Sequence, residues 1–202
     1  MTTRRYYDEH SHELARRYEL AAVSELQHRV LQWLTGCKSV LEVGCGSGRE
    51  ASLIAARGVH IVASDASFAM LERAVERHGE LKERVLLVAL PGPLPFRNSQ
   101  FDAVVAIAVL MHLTREDIGR ALMELHRVLQ PDGRLIVSVP ARRNDLDTEG
   151  RDTSGRRFTC LEKDEWTSLL RDAGFAIRDS RETADGLGRS GVQWFSCLGE
   201  RS

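Results

Sequence analysis

Three closely spaced glycines are the residues of this sequence whose types and spacing most directly indicate chemistry. Gly44, Gly46 and Gly48 follow the apolar run 39–43 in the pattern G-x-G-x-G, and a helical pattern begins at Arg49. Glycine has no Cβ, so it adopts positive φ easily and lets a ligand lie directly against the backbone. Arg49 stands where the dinucleotide fingerprint G-x-G-x-x-G needs its third small residue. The turn therefore predicts a nucleotide-like ligand and disfavours nicotinamide and flavin cofactors.

An acidic residue at the end of the next predicted strand fits the same kind of ligand. Asp65 lies 23 residues after Glu42, and a carboxylate there can accept hydrogen bonds from both hydroxyl groups of a ribose. Capping of the following helix is the alternative role, for which Ser67 is better suited. Phe68 and Met70 follow in the first helical turn, where they either contact an adenine or belong to the core.

Glu42 and the three glycines together resemble motif I of the class I S-adenosylmethionine-dependent methyltransferases, of the type that acts on small molecules. The stretch 94–102 resembles the family's "LPF…sFD" segment, and 125–133 resembles its "RvLkPGG" segment. The resemblance covers about residues 40–182 and implies S-adenosylmethionine as the cofactor, with S-adenosylhomocysteine as the product. The cofactor-binding residues that it implies are Glu42, Gly44, Cys45, Gly46, Gly48, Asp65, Ala66, Met70, Leu90 and Ala108.

The sequence departs from the family's pattern just before the LPF stretch. The family commonly has an acidic residue about four positions earlier, which accepts a hydrogen bond from the adenine amino group. Here residues 89–93 read Ala-Leu-Pro-Gly-Pro. The Leu90 side chain has no acceptor, and Pro91 has no N–H group. We therefore expect either that backbone groups such as that of Gly92 bind adenine or that adenine is bound more weakly, and we expect the glycine turn and Asp65 to dominate cofactor affinity.

His112 and Tyr18 are the two candidate catalytic residues. The stretch 109–113 resembles a "vLxHL" pattern that the family often carries after strand four, where a parallel sheet presents its carboxyl edge to ligands. His112 is a candidate general base because histidine titrates near neutrality. Packing at the start of the next helix is the alternative, favoured because this histidine belongs to the common pattern in enzymes with unrelated substrates. Tyr18 and the segment 4–12 resemble the helical cap of many small-molecule methyltransferases, in which tyrosines contact the methionine part or the acceptor.

Alternating strand and helix patterns must position these residues. Apolar residues recur every four positions from Leu14 to Leu34, which predicts one amphipathic helix before the first strand. Capping patterns predict helices that begin at Thr114 and at Thr159 with Glu162, and the segment 141–158 is expected to be a loop. The remaining predictions are strands 39–43, 59–63, 85–90, 101–107, 134–139, 175–180 and 193–198, and helices 49–57 and 67–78.

This alternation implies an α/β fold with a parallel sheet covered on both faces. The resemblance implies a Rossmann-like, doubly wound sheet of seven strands in the order 3-2-1-4-5-7-6, with strand 7 antiparallel. It also implies one compact unit, in which residues 1–36 form an N-terminal helical cap on a methyltransferase domain of residues 37–202.

Composition narrows the class of protein. A chain of 202 residues with 43% hydrophobic residues fits one domain with a substantial core. Its net charge of -1 supplies no basic field for DNA or RNA phosphates. The four cysteines form no C-x-x-C pair, no signal-peptide pattern begins the chain, and no apolar run approaches the roughly 20 residues of a membrane span. We therefore expect a cytoplasmic protein with reduced thiols and no membrane partner.

Two charged clusters have alternative interpretations. Asp8, His10 and His12 suggest a metal site, but no matching histidine or cysteine cluster follows, so we expect no metal. Arg189, between the last two strands, is a candidate substrate contact. Five arginines of the 141–158 loop are candidates for binding an anionic acceptor, but four acids nearly cancel them, which favours a solvated loop. The arginines are Arg142, Arg143, Arg151, Arg156 and Arg157, and the acids are Asp145, Asp147, Glu149 and Asp152.

The sequence leaves three functions open. We expect methyl transfer to a small-molecule acceptor by in-line displacement, because the chain has little beyond the core fold with which to bind a macromolecule. A methyltransferase acting on tRNA or protein is the first alternative. A cofactor-binding module without catalysis is the second, and the missing acid near Leu90 keeps it open. A nicotinamide-dependent oxidoreductase ranks last because of Arg49. The sequence does not identify the atom methylated or the oligomeric state.

Overall fold

The computed structural model describes residues 2–202, which contain one seven-stranded mixed sheet. The strands are β1 (Ser39–Val43), β2 (His60–Asp65), β3 (Val85–Leu87), β4 (Phe101–Ile107), β5 (Leu129–Arg143), β6 (Phe175–Ala184) and β7 (Val192–Arg201). Their order is β3-β2-β1-β4-β5-β7-β6. Neighbours from β3 to β5 are parallel, whereas β7 runs antiparallel to β5 and β6. The predicted fold class and strand order are confirmed.

Seven α-helices surround the sheet within the described residues. They are α1 (Thr3–Glu9), α2 (Ser11–Glu19), α3 (Ser24–Trp33), α4 (Arg49–Ala55), α5 (Phe68–Arg77), α6 (Arg115–Val128) and α7 (Lys163–Asp172). Thr114 caps α6 as predicted, since its hydroxyl oxygen accepts the Asp117 N–H at 3.1 Å. Between residues 2 and 202, no helix is both long and apolar enough to cross a bilayer.

The core has two parts because alternate residues of the central strand β1 face opposite sides of the sheet. Leu41 and Val43 pack with α6 and α7, where Trp166 is completely buried. Val40 packs on the other side with α3, α4 and α5, which contribute buried residues such as Ile54. Both faces of the parallel part are thus covered, which leaves the strand ends as the accessible edge.

The prediction of one continuous helix from Leu14 to Leu34 is wrong. The chain forms α2 and α3 and breaks between them. At the break the Ala22 N–H donates to the carbonyl of Gly186 at 3.0 Å, so a contact with a distant loop replaces helical bonding. Both helices still bury apolar residues against the rest of the domain. The four-residue repeat therefore continues across the break and does not reveal it.

Several other element boundaries differ from prediction; strand β5, for example, begins at Leu129, paired with Phe101 of β4, instead of at residue 134. Strand β3 ends at Leu87 instead of residue 90. Strand β5 continues to Arg143 because it pairs there with Val192 of β7, so only the part of the predicted loop after Arg143 is irregular. Helix α7 is capped by Glu162, whose capping-box partner is Glu165, and Thr159 takes no part in the cap. In each case a long-range partner or a competing cap decides the boundary.

Candidate active site

A cavity of about 760 Å³ opens at the carboxyl ends of the parallel strands. It lies where β1 adjoins β4, the point at which the strand order reverses and open α/β sheets bind ligands. Helices α1 and α2 contribute Tyr7 and Tyr18 to its lining, and the segment after β5 contributes Phe158. The volume is within the range of small-molecule and cofactor sites.

The glycine turn after β1 forms one wall of the cavity. Its three glycines have φ angles of 71°, 55° and 82°, a region that favours glycine. A Cβ at Gly44 would lie 2.5 Å from Cβ of Val109, and one at Gly48 would lie 2.9 Å from Cβ of Ala74. Gly46 has no such neighbour. Gly44 and Gly48 are therefore needed for close packing of the turn, whereas Gly46 leaves its backbone open to the cavity.

Asp65, the last residue of β2, is fixed against this turn. One carboxylate oxygen accepts the Gly46 N–H at 2.9 Å, and the other accepts the Ser67 N–H at 2.9 Å. Burial raises the pKa of Asp65, although the backbone N–H groups of Ser67 and Gly46 oppose this. Each carboxylate oxygen retains acceptor capacity beyond these bonds. The carboxylate is thus held in one orientation beside the cavity and can accept hydroxyl hydrogens from a ligand.

Glu42 supplies a second acid behind the turn. It is 2% exposed, and its Oε2 atom has no hydrogen-bond partner among residues 2–202. Burial raises the pKa of Glu42 well above its ordinary value, and the nearby carboxylates of Glu50 and Asp65 add to the rise, while Arg49 opposes it. A buried acid without a full set of partners is costly. Glu42 therefore resists ionisation, and it lies behind the turn, outside the cavity lining.

His112 lies at the opposite side of the turn, after β4, in a short hydrogen-bonded chain. Its Nδ1 is 2.8 Å from the Arg157 carbonyl oxygen, which can only accept, so Nδ1 carries the proton. Its Nε2 is therefore an acceptor, and the Tyr7 hydroxyl, 3.0 Å away, donates to it. The Tyr18 hydroxyl donates to that of Tyr7 at 3.5 Å.

The surroundings keep His112 neutral. Burial lowers its pKa to about 4, the Arg157 carbonyl opposes this, and the positive charges of Arg156 and Arg143 lower the pKa further. Burial also raises the pKa of Tyr18, with Tyr7 adding to the rise. At neutral pH, Nε2 of His112 is thus unprotonated and bound to the Tyr7 hydroxyl, so that a proton from the cavity can reach it through Tyr7.

Ala108, at the end of β4, has a strained backbone. Its φ of 56° lies in the left-handed region, which is rare for residues other than glycine. Its N–H donates to the Ser138 carbonyl at 2.8 Å, a bond that helps to hold this conformation. The residue lines the cavity between the glycine turn and His112, the kind of place where such strain is concentrated.

The structure brings most of the predicted site residues to the cavity wall. Those that line it are Gly44, Cys45, Gly46, Asp65, Ala66, Leu90, Ala108, Tyr18 and His112. Glu42, Gly48 and Met70 do not. Met70 is completely buried against Leu14 and Ala15, beneath the N-terminal helices.

Sequence reasoning missed or misjudged several lining residues. Tyr7 was noticed only as part of the N-terminal segment, although it is the direct partner of His112. The prediction that the arginine-rich loop is solvated is wrong for Arg143 and Arg156, which are buried and line the cavity. No local pattern distinguishes these two from Arg142, which is exposed.

A seven-stranded sheet in this order, with a glycine turn after β1 and an acid at the end of β2, defines the fold of a class I methyltransferase. Residues 41–137 match the family model described as "Methyltransferase domain". The chain belongs to the class I S-adenosylmethionine-dependent methyltransferase family.

Known proteins agree with this assignment. The chain is 36% identical over 140 residues to a probable S-adenosylmethionine-dependent methyltransferase of Mycobacterium tuberculosis, covering 68% of this chain and 48% of the relative. It is 35% identical over 115 residues to a probable tRNA methyltransferase 9B of Mus musculus, covering 55% of this chain and 24% of that protein. The crystal structure of Burkholderia thailandensis 1,6-didemethyltoxoflavin-N1-methyltransferase with bound S-adenosylhomocysteine has a TM-score of 0.76 at 23% identity, covering 98% and 87% of the two chains. The chain spans about half the length of the first curated relatives it matches.

Proposed function

We propose that this protein is an enzyme that transfers the methyl group of S-adenosylmethionine to a small-molecule acceptor. One observation carries the proposal: a single cavity is lined both by the glycine turn with Asp65 and by the Tyr7–His112 pair. The first set fits a ribose-containing donor, and the second fits an acceptor that must lose a proton.

The residues around the turn fit the donor in two respects. Asp65 offers fixed carboxylate oxygens to ribose hydroxyls. Gly46 leaves bare backbone facing the cavity. Leu90 lines the cavity without a side-chain acceptor, so adenine recognition falls to backbone groups and apolar contact.

The chain's own residues then have few tasks in catalysis. When bound, S-adenosylmethionine supplies an electrophilic methyl group on a sulfonium. The cavity walls align the acceptor with that group, and such alignment can lower a barrier by roughly 7–11 kcal/mol. Helices α1 and α2, within the proposed cap of residues 1–36, exclude water. For an acceptor that arrives protonated, we propose that the Tyr7 hydroxyl takes the acceptor's proton while it gives its own to Nε2 of His112, with Tyr18 orienting the acceptor.

The cavity supports a small acceptor better than a macromolecule. Its lining includes Tyr7, Tyr18 and Phe158, which cover it from the side of the N-terminal helices and the loop after β5. The net charge of -1 offers no general attraction for nucleic acid. The relative named for tRNA methylation nevertheless makes a tRNA acceptor the alternative to be tested.

Calorimetric titration with S-adenosylhomocysteine tests the donor site. We expect micromolar binding and no heat with NADH, and absence of binding would overturn the proposal. Asp65→Ala should weaken binding by about 1.5–3 kcal/mol, or roughly 10- to 150-fold, because hydrogen bonds to a charged group are lost. Asp172→Ala, an exposed aspartate of α7, is the matched control. Unchanged affinity in a folded Asp65→Ala variant would exclude the assigned role of Asp65.

A second experiment identifies the acceptor class. Cell extract is separated by size, and each fraction is incubated with the protein and S-adenosylmethionine labelled in its methyl group. Label in compounds of metabolite size supports the proposal. Label found only in tRNA or protein would replace it with the macromolecular alternative, and donor binding without label in any fraction would indicate a binding module.

A further inference from the structure

Three arginines line the part of the cavity formed by β5, β6 and the loops that follow them. Arg143 ends β5, Arg156 lies in the segment after it, and Arg189 lies between β6 and β7. Each guanidinium is held along its Nε and Nη2 edge by an aspartate two or four residues away in the chain. The pairs are Arg143 with Asp145 at 2.8 and 2.6 Å, Arg156 with Asp152 at 2.9 and 2.5 Å, and Arg189 with Asp185 at 3.0 and 2.6 Å.

The third nitrogen of each guanidinium remains available. Within residues 2–202, Nη1 of Arg143, Arg156 and Arg189 makes no hydrogen bond. The side chains of Arg143 and Arg156 are only 2% and 10% exposed. Both Nη1 atoms nevertheless keep surface that is open to the cavity, because neither is among the fully buried atoms of the described chain that lack a partner. They can therefore donate charge-assisted hydrogen bonds to a ligand that brings acceptor oxygens.

For Arg143 and Arg156, the paired aspartates do not cancel the positive charge on the cavity side, whereas Asp185, the partner of Arg189, itself lines the cavity. Asp145 and Asp152 are absent from the cavity lining, whereas Arg143 and Arg156 belong to it. Each guanidinium thus lies between its carboxylate and the cavity, so the nearer charge that a ligand meets is positive. Arg181, an exposed residue of β6 without an ion pair in the described part of the chain, adds a further positive charge to the same wall.

Phe158 holds these charges in place. It is 5% exposed, and the guanidinium carbon of Arg143 lies 3.8 Å from its ring centroid, while that of Arg156 lies 5.4 Å away. The His112 ring centroid is 4.8 Å from that of Phe158. A stacked guanidinium keeps its plane and its hydrogen-bonding directions. The two arginines are therefore rigid and lie beside the proposed base.

We propose, building on the methyl transfer proposed above, that the acceptor carries an anionic oxygen group, a carboxylate or a phosphate, which Nη1 of Arg143 and Arg156 bind. The group lies on the β5 side of His112, away from the turn and Asp65 on β1 and β2. The arginines thereby select acceptors that carry a negative charge. The glycine motif has no influence on this selection.

The experiment divides the metabolite fraction of a cell extract on an anion exchanger at neutral pH before reaction with labelled S-adenosylmethionine. We expect label to enter products only from the retained, anionic fraction. Label mainly from the unretained fraction would overturn this inference and leave methyl transfer intact. Label from neither fraction, in a protein that still binds S-adenosylhomocysteine, would instead overturn the small-molecule function on which the inference rests.

Variants and competing anions then assign the group. Arg143→Gln should raise KM for the anionic acceptor at least tenfold, with S-adenosylhomocysteine affinity within twofold of wild type; Arg142→Gln, on an exposed neighbour outside the cavity, should leave both unchanged. An unchanged KM in a folded Arg143→Gln protein would refute the assigned contact.

A competition experiment on the wild-type protein distinguishes the two anionic groups. Inhibition of methyl transfer by benzoate at a lower concentration than by inorganic phosphate indicates a carboxylate, and the reverse order indicates a phosphate. If neither anion competes with the acceptor, the proposal is contradicted.

Discussion

Protonation of His112 should lower the free energy of unfolding as the pH falls from about 6.5 toward 4. In the folded chain, its Nδ1–H donates to the Arg157 carbonyl and its Nε2 accepts from the Tyr7 hydroxyl. A second proton, bound to Nε2, would meet the hydrogen of the Tyr7 hydroxyl, and the ring would then carry a positive charge near those of Arg156 and Arg143. The folded state therefore resists protonation, whereas the unfolded chain does not.

The size of the effect follows from the two pKa values. Unfolded His112 titrates near 6.5, and burial lowers the folded pKa to about 4. Between these values the unfolded state binds more protons, so stability rises with pH. The contribution is complete above about pH 6.5 and is lost progressively as pH falls toward 4. At about 1.36 kcal/mol per pKa unit, the loss is at most about 3 kcal/mol, and water that reaches the ring through the cavity reduces it.

His112→Gln provides the matched comparison. Glutamine keeps one donor and one acceptor at this position but does not titrate in the same range. Urea unfolding of both proteins between pH 4 and 7.5 gives two curves of the free energy of unfolding, and their difference cancels the other histidines and the carboxylates. We expect wild type to lose up to about 3 kcal/mol more than the variant over this interval. Parallel curves would show that His112 does not carry a strongly lowered pKa, and its assignment as a neutral base would fail.

Two further predictions concern stability. Gly44→Ala should lower the free energy of unfolding by about 2–4 kcal/mol, because it combines an unfavourable φ with a clash against Val109. The control is Gly36→Ala, which has a positive φ but no neighbour within 4 Å and should lower the free energy of unfolding by only about 1 kcal/mol. Equal losses in denaturant titrations would contradict the packing argument. Asp102→Ala should cost about 1–3 kcal/mol at pH 7, since the carboxylate accepts the backbone N–H groups of Lys38 and Ser39. Burial raises the pKa of Asp102, but these bonds outweigh it and lower the pKa overall, so the difference from wild type should shrink as the pH falls below about 4. A difference that does not shrink on acidification would refute this.

The sheet could be predicted because each central strand is a short apolar run that ends at a turn. Strand β1 and strand β4 have the predicted bounds, and the resemblance supplied the strand order. The errors occur where partners distant in sequence decide the structure. The break after α2 depends on Gly186, and the extension of β5 to Arg143 depends on Val192. A periodic pattern along one segment contains no information about such partners.

The candidate site contains one part that the sequence predicts and one part that depends on contacts between distant segments. The glycine turn and Asp65 come from neighbouring strands joined by one helix, so their residue types and spacing are visible in the sequence. The Tyr7–His112 bond joins residues 105 apart, and the bond from His112 to the Arg157 carbonyl spans 45 residues. Only the fold brings these segments together.

This difference explains why the donor can be inferred from a motif and the acceptor cannot. A donor that is bound by one turn and one strand end restricts the residue types at a few closely spaced positions, and this restriction does not depend on the acceptor. An acceptor bound between α1, the end of β4 and the loop after β5 constrains side chains on separate segments, which can change independently of the glycine turn. In this chain those side chains are the neutral His112 and the aspartate-paired Arg143 and Arg156. Their spacing in sequence carries no recognisable pattern, so the proposal of an anionic acceptor rests on their burial and free nitrogens, which only the three-dimensional structure reveals.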